Sequence, residues 1–304
     1  MDLKQLRYFV CIVESGSISR AAATLHIAQP SLSQRLSELE AELGAKLLHR
    51  STSGVKPTEI GLLVADRARG ILRGADNLIA EARTAGAAPS GDVMVGLPTS
   101  IAIHLTVPLT MQVRERFPGV NLRISEGMSG HILEWVLNGR LDLAVLYTAE
   151  SIPQLEMGEV IYEDLSLISK PGPETSGATV PLHELHRYDL VLPAPDHGLR
   201  RTITRGAEAA GAALHVAVEV DSLINLKRLA MQGSLHTILP RAACLEEIEA
   251  GLLVSRRIVS PPLRRPIVIV SPRERPLTLA GERIRDLLRQ LVTAAVREGR
   301  QLTP

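Results

Sequence analysis

The sequence predicts an all-α N-terminal region, with a winged helix-turn-helix and a long linker helix, followed by a two-lobed α/β region. Three observations support this prediction. Residues 17–43 contain two helical patterns separated by a tight turn, residues 58–83 repeat apolar residues every seven positions, and the chain beyond residue 91 alternates short strands with helices. The predicted domains are 1–58, 59–88 and 89–304.

Length and composition set the first limits on function. A chain of 304 residues with 45% hydrophobic residues is long enough for two or three domains with sizeable cores. Because aromatic residues make up only 2%, those cores must consist mainly of Leu, Val, Ile and Ala. Basic and acidic residues number 34 and 33, and residues 1–58 contain seven basic and five acidic residues. Composition alone therefore does not indicate a nucleic-acid-binding protein.

The first predicted helix spans residues 3–15, with an inward face of Leu6, Phe9, Val10 and Val13. Gly16 ends it, and Ser17 caps a second, short helix. Three consecutive alanines at 21–23 keep that helix small, so that another helix can cross it closely. Residues 26–28 are predicted to form the turn that follows.

A third helix is predicted to begin near Pro30, since proline is tolerated in a first helical turn. An apolar stripe recurs at i, i+4, i+7 and i+11: Leu32, Leu36, Leu39 and Leu43. The opposite side presents Pro30, Ser33, Gln34 and Ser37. An outer face of Ser and Gln, without Lys or Glu, is suited to close contact with a polar surface, and an ordinary exposed helix is the alternative.

A short hairpin, or wing, is predicted after the third helix. Residues 46–48 and 55–56 flank a polar turn at 50–54. Arg50, Ser51, Thr52 and Lys56 offer hydrogen-bond donors to phosphates and to the minor groove of DNA. The alternative is a plain exposed turn.

A long helix over residues 58–83 has the most regular pattern in the chain. Two sets of residues repeat every seven positions: Val64, Ile71 and Leu78, and Gly61, Ala68, Ala75 and Ala82. A helix of 26 residues is roughly 40 Å long. The pattern predicts that residues 59–84 pair with a second copy in a dimer, and packing on the same chain is the alternative. Residues 85–91 are predicted to form a linker.

Short runs rich in Val, Ile and Leu follow, separated by predicted helices at 101–116, 130–139, 198–210 and 222–233. This alternation predicts parallel sheets covered by helices. Breaks near residues 169–173 and 260–262 predict two lobes, with lobe I formed by 91–165 and 266–304 and lobe II by 166–265. A closing helix is predicted over 279–297.

Hydroxyl-bearing residues follow three predicted strands at the points where helices begin. They are Thr99-Ser100, Ser129-Gly130 and Asp221-Ser222. In open α/β sheets, ligands bind beyond the carboxyl ends of strands, where backbone N–H groups at helix starts attract anions. We therefore predict a small, carboxylate-bearing metabolite as ligand. Helix caps without a ligand are the alternative.

Several motifs and segments are missing from the sequence. It has no glycine-rich phosphate loop, dinucleotide fingerprint or HExxH or CxxC motif, so we predict no metal and no cofactor. His183 and His186 are interpreted as a solvated helix end. Cys11 and Cys244 lie in apolar runs and are predicted to be buried free thiols in a reducing compartment. Without a signal peptide or a membrane-spanning run of ~20 apolar residues, the protein is predicted to be soluble and cytoplasmic.

The N-terminal run from Leu6 to Gly61 resembles one known family without a gap. The run LRYFVCIVESGSISRAAATLHIAQPSLSQRLSELEAELGAKLLHRSTSGVKPTEIG matches the DNA-binding domain of the LysR-type transcriptional regulators. Leu48 stands where the family usually has Phe, and Gln34 stands where many members have Arg. Within the family, the chain is most similar to the nitrogen-assimilation control subgroup.

The resemblance implies a periplasmic-binding-protein-like effector domain with two crossovers, whose cleft is lined at positions matching Thr99, Ser100, Ser129 and Thr202. It also implies a dimer within a tetramer, bound to an imperfect palindrome of double-stranded DNA, with RNA polymerase as a further candidate partner. Combined with the residues themselves, it predicts DNA contacts by Gln29, Pro30, Ser31, Ser33 and Gln34 and by the wing residues named above.

The predicted function is sequence-specific, effector-responsive regulation of transcription, and not enzymatic activity. Two alternatives remain at this stage. One is a DNA-binding regulator that needs no effector and is controlled by its abundance. The other is a small-molecule α/β enzyme with an incidental helical N-terminus, which the lack of catalytic motifs disfavours.

Overall fold

The computed structural model of the chain describes residues 1–51, 54–84 and 88–300. Thr52 of the predicted wing and residues 85–87 of the predicted linker lie outside the described residues. The N-terminal helices share one hydrophobic core, and the α/β region has separate cores for its two lobes. The limits 1–58, 59–88 and 89–304 stay predictions.

Three short helices form the N-terminal core: α1 (Leu3–Ser15), α2 (Ile18–Thr24) and α3 (Gln29–Leu43). Gly16 adopts the left-handed conformation at the end of α1, and the Ser17 hydroxyl accepts the N–H of Arg20 at the start of α2, as predicted. At the end of α2, His26 has a φ of 54°. The N–H groups of His26 and Ile27 donate to Ala23 and Ala22, so a left-handed C-terminal cap forms the turn before α3.

The leucine stripe of α3 faces the core, with one exception. Leu32, Leu36 and Leu39 are buried against α1 and α2. Leu43 was predicted to belong to the same stripe but is 38% exposed, because it is the last residue of α3, where the chain turns away at Gly44. On α1, Ile12 is completely buried although the sequence pattern did not single it out.

The predicted wing is a two-stranded antiparallel sheet of β1 (Leu48–Ser51) and β2 (Gly54–Pro57). It packs on the turn between α1 and α2, where the N–H of Val55 donates to the carbonyl of Gly16 at 3.1 Å. Gly54 has a φ of 124°, and a Cβ at this residue would lie 2.6 Å from the Gly16 oxygen. The wing can therefore approach the helices this closely only with glycine at position 54.

Helix α4 (Glu59–Thr84) has two different faces. On one face Ala65, Ala68 and Leu72 pack against α1 of the same chain, and a Cβ on Gly61 would collide with the Leu47 carbonyl. The small positions Gly61 and Ala68 therefore lie in contacts within the chain, which corrects their predicted place in a seam with a second copy. The other face exposes large apolar side chains, namely Ile60, Leu63, Ile71 and Leu78.

Helix α4 also contacts the first strand of lobe I. The side-chain amide of Asn77 donates to the Asp92 carbonyl at 3.1 Å and accepts the Asp92 N–H at 2.9 Å. Arg73 donates to the carbonyl of Gly139. The N-terminal helices are thus joined to lobe I by backbone-directed hydrogen bonds as well as by the chain itself.

The α/β region contains six α-helices and eleven strands among its described residues. The helices are α5 (Thr99–Arg116), α6 (Ser129–Leu137), α7 (Gly198–Ala209), α8 (Leu223–Gln232), α9 (Leu245–Glu249) and α10 (Leu279–Arg300). The strands are β3 (Gly91–Pro98), β4 (Val120–Gly127), β5 (Leu143–Leu146), β6 (Leu155–Met157), β7 (Ile161–Ser169), β8 (Thr179–Pro181), β9 (Asp189–Leu192), β10 (His215–Glu219), β11 (Thr237–Pro240), β12 (Val254–Val259) and β13 (Arg264–Pro272).

The sheets are mixed, which corrects the prediction of parallel sheets. Strands β3, β4 and β5 pair in parallel, as do β9 with β10 and β8 with β12. Strands β7 and β13 pair antiparallel with each other and with neighbours in both lobes. Both are crossing strands that run through the predicted lobe limits at 166 and 265. A strand buried on both faces has the same apolar pattern in either direction, so the sequence did not reveal its direction.

Helix α10 returns to lobe I and completes its core. Ile284, Leu288 and Val292 pack beside Leu105 and Leu109 of α5. Of the two free cysteines, Cys244 is buried, but Cys11 is only half-buried and lies 4.0 Å from the Ser15 hydroxyl, which corrects the prediction that both are buried. None of the helices in the described ranges is long and apolar enough to span a membrane.

Candidate nucleic-acid interface and ligand cleft

The N-terminal half of α3 exposes the polar residues that the sequence singled out. Gln29, Pro30, Ser31 and Gln34 are exposed, and Ser33 is half-buried. The Gln29 side-chain amide donates to the Ser33 hydroxyl at 3.2 Å, and the Gln34 amide donates to Glu38 at 3.1 Å. Both contacts are exposed and join residues four apart, so a DNA base can replace them at little cost.

The charge distribution along α3 favours an anion at its N-terminal end. Its N-cap residue, Ala28, provides no side-chain cap, so the first-turn N–H groups remain directed outward. The acidic residues Glu38, Glu40 and Glu42 lie in its C-terminal half. Phosphate groups are therefore attracted to the end of the helix that presents the glutamines.

Glu40 connects the end of α3 to the wing. This carboxylate is 5% exposed, accepts the Leu47 N–H at 2.9 Å and pairs with Lys46 at 2.7 Å. Burial by itself raises the pKa of a carboxyl group, but the hydrogen bonds from Lys46 and Leu47 outweigh it and hold the pKa of Glu40 below its ordinary value. Glu40 thereby ties the end of α3 to the two residues that directly precede the wing.

The wing places its basic residues on different faces. In the register, Lys56 lies opposite His49 and Arg50 lies opposite Val55, so Lys56 shares its face with His49, and Arg50 points to the other side. Arg50, Ser51 and Lys56 are exposed, as donors to phosphates must be. His49 is also exposed on this outer face and was missed, because one histidine in a polar turn gives no pattern.

A small cavity of about 60 Å³ lies between the two lobes. It is bounded by the N-terminal ends of α5 and α6 from lobe I and of α7 and α8 from lobe II. Thr99, Ser100 and Ser129 line it together, as the sequence analysis predicted for a ligand site.

The two lobes differ in how the helix ends at this cavity are capped. Thr99 and Ser129 are first helical residues, and the N-caps of α5 and α6 are Pro98 and Met128, which make no side-chain cap hydrogen bond. Those hydroxyls are thus not helix caps. In lobe II, Ser222 caps α8 and His197 caps α7. Uncapped amide donors therefore belong to the lobe I side of the cleft.

Thr202 does not line the cavity. It lies one turn into α7, and its hydroxyl donates to the Gly198 carbonyl of the same helix at 3.2 Å. Of the four residues predicted for the cleft, three lie at the cavity and Thr202 lies behind it in this arrangement of the lobes. A role for Thr202 in binding stays a prediction.

The cleft contains a buried arginine that the sequence analysis missed. Arg265 is 2% exposed, its Nε donates to Glu163 at 2.6 Å, and its guanidinium carbon lies 3.7 Å from the centre of the Tyr147 ring. Burial disfavours the charged guanidinium, but the Glu163 carboxylate outweighs this effect and raises the pKa of Arg265. Burial also raises the pKa of Tyr147 to about 12, so its neutral hydroxyl shares a hydrogen bond with Ser100 at 2.8 Å.

His197 forms part of the lobe II wall of the cavity. Burial is the main cause of a lowered pKa, so the imidazole is neutral at pH 7. Its Nδ1 accepts the Leu199 N–H at 3.1 Å, and the proton therefore lies on Nε2. His197 and Asp221 had no distinctive spacing in the sequence, although Asp221 directly precedes the predicted helix start at Ser222.

Comparison with known proteins shows the family. Residues 3–62 match the family described as bacterial regulatory helix-turn-helix protein, lysR family, and residues 86–293 match the LysR substrate binding domain. The chain belongs to the LysR family. It is a DNA-binding transcriptional regulator with an effector-binding domain, and not an enzyme.

Individual relatives match over the full length. The chain is 30% identical over 302 residues to the nitrogen assimilation regulatory protein nac of Escherichia coli (strain K12), covering 99% of this chain and 98% of that protein. A full-length OxyR variant from Pseudomonas aeruginosa superposes with a TM-score of 0.76 at 24% sequence identity, covering 100% of this chain and 99% of that chain. Full-length CbnR complexed with its target DNA superposes with a TM-score of 0.67 at 22% sequence identity, covering 98% of this chain and 100% of that chain. These two likenesses show the fold alone.

Proposed function

We propose that the chain binds its operator through the N-terminal half of α3 placed in the major groove. Gln29, Ser33 and Gln34 would contact base edges, with glutamine suited to adenine. The single observation on which this rests most is the uncapped N-terminus of α3, whose exposed face consists of Ser and Gln, with the acidic residues at the other end. Pro30 and Ser31 lie at the same end and would contact the adjacent backbone.

The wing would position the protein on the sugar-phosphate backbone. Arg50 and Lys56 are exposed cations on different faces of the hairpin, so they can reach different phosphates. Ser51 and Thr52 are proposed to assist them. These contacts would fix the position of the protein along the DNA and contribute to affinity, but they would not discriminate between bases.

A dimer through α4 would present two such helices to one imperfect palindrome. The exposed apolar face of Ile60, Leu63, Ile71 and Leu78 favours pairing with a second copy. Half-sites about one helical turn apart would then be bound from one side of the DNA. Assembly of two dimers into a tetramer, contact with RNA polymerase and location in the cytoplasm complete the proposal.

The effector would bind between the lobes and change their closure. Thr99, Ser100 and Ser129 at the ends of α5 and α6 favour an anionic, carboxylate-bearing metabolite. Helix α4 is hydrogen-bonded to lobe I through Asn77 and Asp92, so a change in lobe I can reach the DNA-binding helices.

Selection from random duplexes, followed by footprinting of the selected site with and without a library of metabolic acids, tests this function. We expect a palindrome-like site and a footprint that changes with at least one acid. Equal affinity for all duplexes would contradict sequence-specific binding. A specific footprint that no compound alters would favour a regulator controlled by its abundance.

A further inference from the structure

Arg265 is the only arginine at the cleft cavity among the described residues, and its surroundings differ from those of a purely structural ion pair. Its Nε pairs with Glu163, but no acceptor in the described part of the chain bonds to the terminal nitrogens Nη1 and Nη2. A buried cation normally uses all of its donors, because each unpaired one costs free energy. The two terminal nitrogens of Arg265 and their N–H donors are thus available at the cavity.

The orientation of Arg265 is determined by its neighbours. Glu163 accepts from Nε at 2.6 Å, and the guanidinium carbon lies 3.7 Å from the centre of the Tyr147 ring, whose hydroxyl shares a hydrogen bond with Ser100. A planar guanidinium held along one edge and one face presents its remaining edge as a fork. That fork matches the two oxygens of a carboxylate.

We propose that Arg265 is the specificity-determining residue of the cleft, and that its ligand is a small monocarboxylate bound through Nη1 and Nη2. The inference rests on the proposed effector function and narrows its ligand class. A cavity of about 60 Å³ is less than half of the roughly 150 Å³ that holds a benzene molecule, so only the smallest carboxylates suit it. Acetate and pyruvate are among the smallest carboxylates, whereas benzoate is larger than benzene and is too large.

The other polar groups of the cleft favour a single negative charge. The hydroxyls of Thr99 and Ser129 and the uncapped first turns of α5 and α6 lie on the lobe I side, and the neutral imidazole of His197 lies on the lobe II side. Asp221 lies on the lobe II side with a carboxylate that accepts the Ala194 N–H at 2.9 Å. A second carboxylate on the ligand would face Asp221 and be repelled.

The site also involves the strands that connect the lobes. Arg265 and Glu163 are direct partners in the pairing of the crossing strands β13 and β7. A ligand that binds the guanidinium changes the charge balance of a cross-strand pair at the hinge. Binding there can alter the angle between the lobes without contacting the outer parts of either.

Calorimetric titration of the full-length protein with acetate and pyruvate tests the ligand class. The comparison compounds are acetamide, which has the shape of acetate without its charge, together with malonate, benzoate and nitrate. We expect acetate or pyruvate to bind at least tenfold more tightly than acetamide, malonate and benzoate. Equal binding of acetamide, or no binding of either monocarboxylate, would overturn the proposal. Nitrate binding as tight as acetate would show a general oxyanion site instead.

A paired substitution tests the residue. Arg265→Gln with Glu163→Gln removes both buried charges together, leaving neither unpaired, and should weaken acetate or pyruvate binding at least tenfold. The matched control is Arg264→Gln with Asp164→Asn, the neighbouring ion pair of the same strands, joined at 2.7 Å, whose arginine is exposed. The control should bind as the unsubstituted protein does. Unchanged binding by the Arg265 variant would contradict the proposal.

A second variant and a second readout keep the outcome decisive. Arg265→Lys retains the charge but not the fork and should weaken binding at least fivefold even if the paired variant does not fold. Footprinting separates this inference from the general function. If a large or neutral compound alters the footprint and monocarboxylates do not, the effector function holds and the role of Arg265 is wrong. If no compound alters it, both are wrong.

Discussion

Helix α3 and the cleft between the lobes both direct helix N-termini at a polar partner, but in opposite surroundings. The N-terminal turn of α3 is exposed, and within the described residues its glutamines bond to neighbours on the same helix. The cleft is walled by groups from both lobes, with Arg265 contributed by the crossing strand β13. In water, a helix end contributes a weak, salt-dependent attraction, whereas in an enclosed site the same donors are much stronger.

The difference explains how each region would recognise its partner. DNA provides many charges over a wide surface, so a few exposed donors suffice for affinity and the glutamines can add base preference. A metabolite of a few atoms offers only one charge. The cleft must therefore remove water and align a buried cation such as Arg265. Four predictions test this contrast, from the largest expected effect to the smallest.

Among these changes, a substitution in the buried leucine stripe of α3 should have the largest effect on stability. Leu32 is completely buried, so Leu32→Ala should lower the free energy of unfolding by about 2–5 kcal/mol. Leu43→Ala, on the same helix but 38% exposed, should cost less than about 1 kcal/mol. Denaturant unfolding measures both. Equal losses would show that α3 is not anchored through this stripe.

The connection between α3 and the wing should depend on pH. The pKa of Glu40 in the folded protein lies below its ordinary value of 4.5, so its stabilising effect is complete above pH 4.5 and is lost as pH falls through the folded value. At pH 7, Glu40→Gln should lower the unfolding free energy by about 1.5–3 kcal/mol, and the gap should narrow below pH 4.5. Exposed Glu38, changed to Gln, should show neither effect. If the difference in unfolding free energy between the unsubstituted protein and Glu40→Gln stayed constant down to pH 3, this role of Glu40 would be refuted.

The exposed face of α3 should affect recognition and leave stability unchanged. Gln34→Ala should reduce discrimination at one or two base positions by about 1–3 kcal/mol each, with unfolding altered by less than about 0.5 kcal/mol. Binding to duplexes that differ by single base pairs measures the first effect. Gln290→Ala, on the exposed side of α10, is the control. An unchanged base preference would remove Gln34 from the proposed contacts.

The wing should contribute charge without base preference. Lys56→Ala should weaken binding similarly for all duplexes and reduce the slope of log affinity against log salt by about 0.9. Lys170→Ala, an exposed lysine of lobe II, should leave the slope unchanged. Titrations between low and moderate salt measure the slope. A loss confined to one sequence would indicate that Lys56 contacts a base.

The DNA-binding region was largely predictable because its signals are local. Gly16, Ser17 and Pro30 mark helix ends within a few residues of one another, and the leucine stripe predicts which face of α3 is buried. Two kinds of prediction were wrong. Leu43 was predicted to be buried but is exposed because it is the last residue of α3. Gly61 and Ala68 were predicted to contact a second copy, but they pack within the same chain. Neither can be seen without knowing what lies beside the helix.

The cleft was predictable only in part. Thr99, Ser100 and Ser129 could be identified because residues at the carboxyl ends of strands converge in an α/β fold. Tyr147 and Arg265 are 118 positions apart, and no spacing relates them. They meet because the crossing strands β7 and β13 return the chain to the boundary between the lobes.

The sequence by itself determined the helix-turn-helix, the wing, the long helix and the alternation of strands and helices, because periodicity and capping act over a few residues. Only the tertiary structure decided the direction of the crossing strands, the two faces of α4 and the enclosure of Arg265 beside Glu163 and Tyr147. Such contacts depend on which distant segments exclude water from one another, and that is a property of the packed chain as a whole.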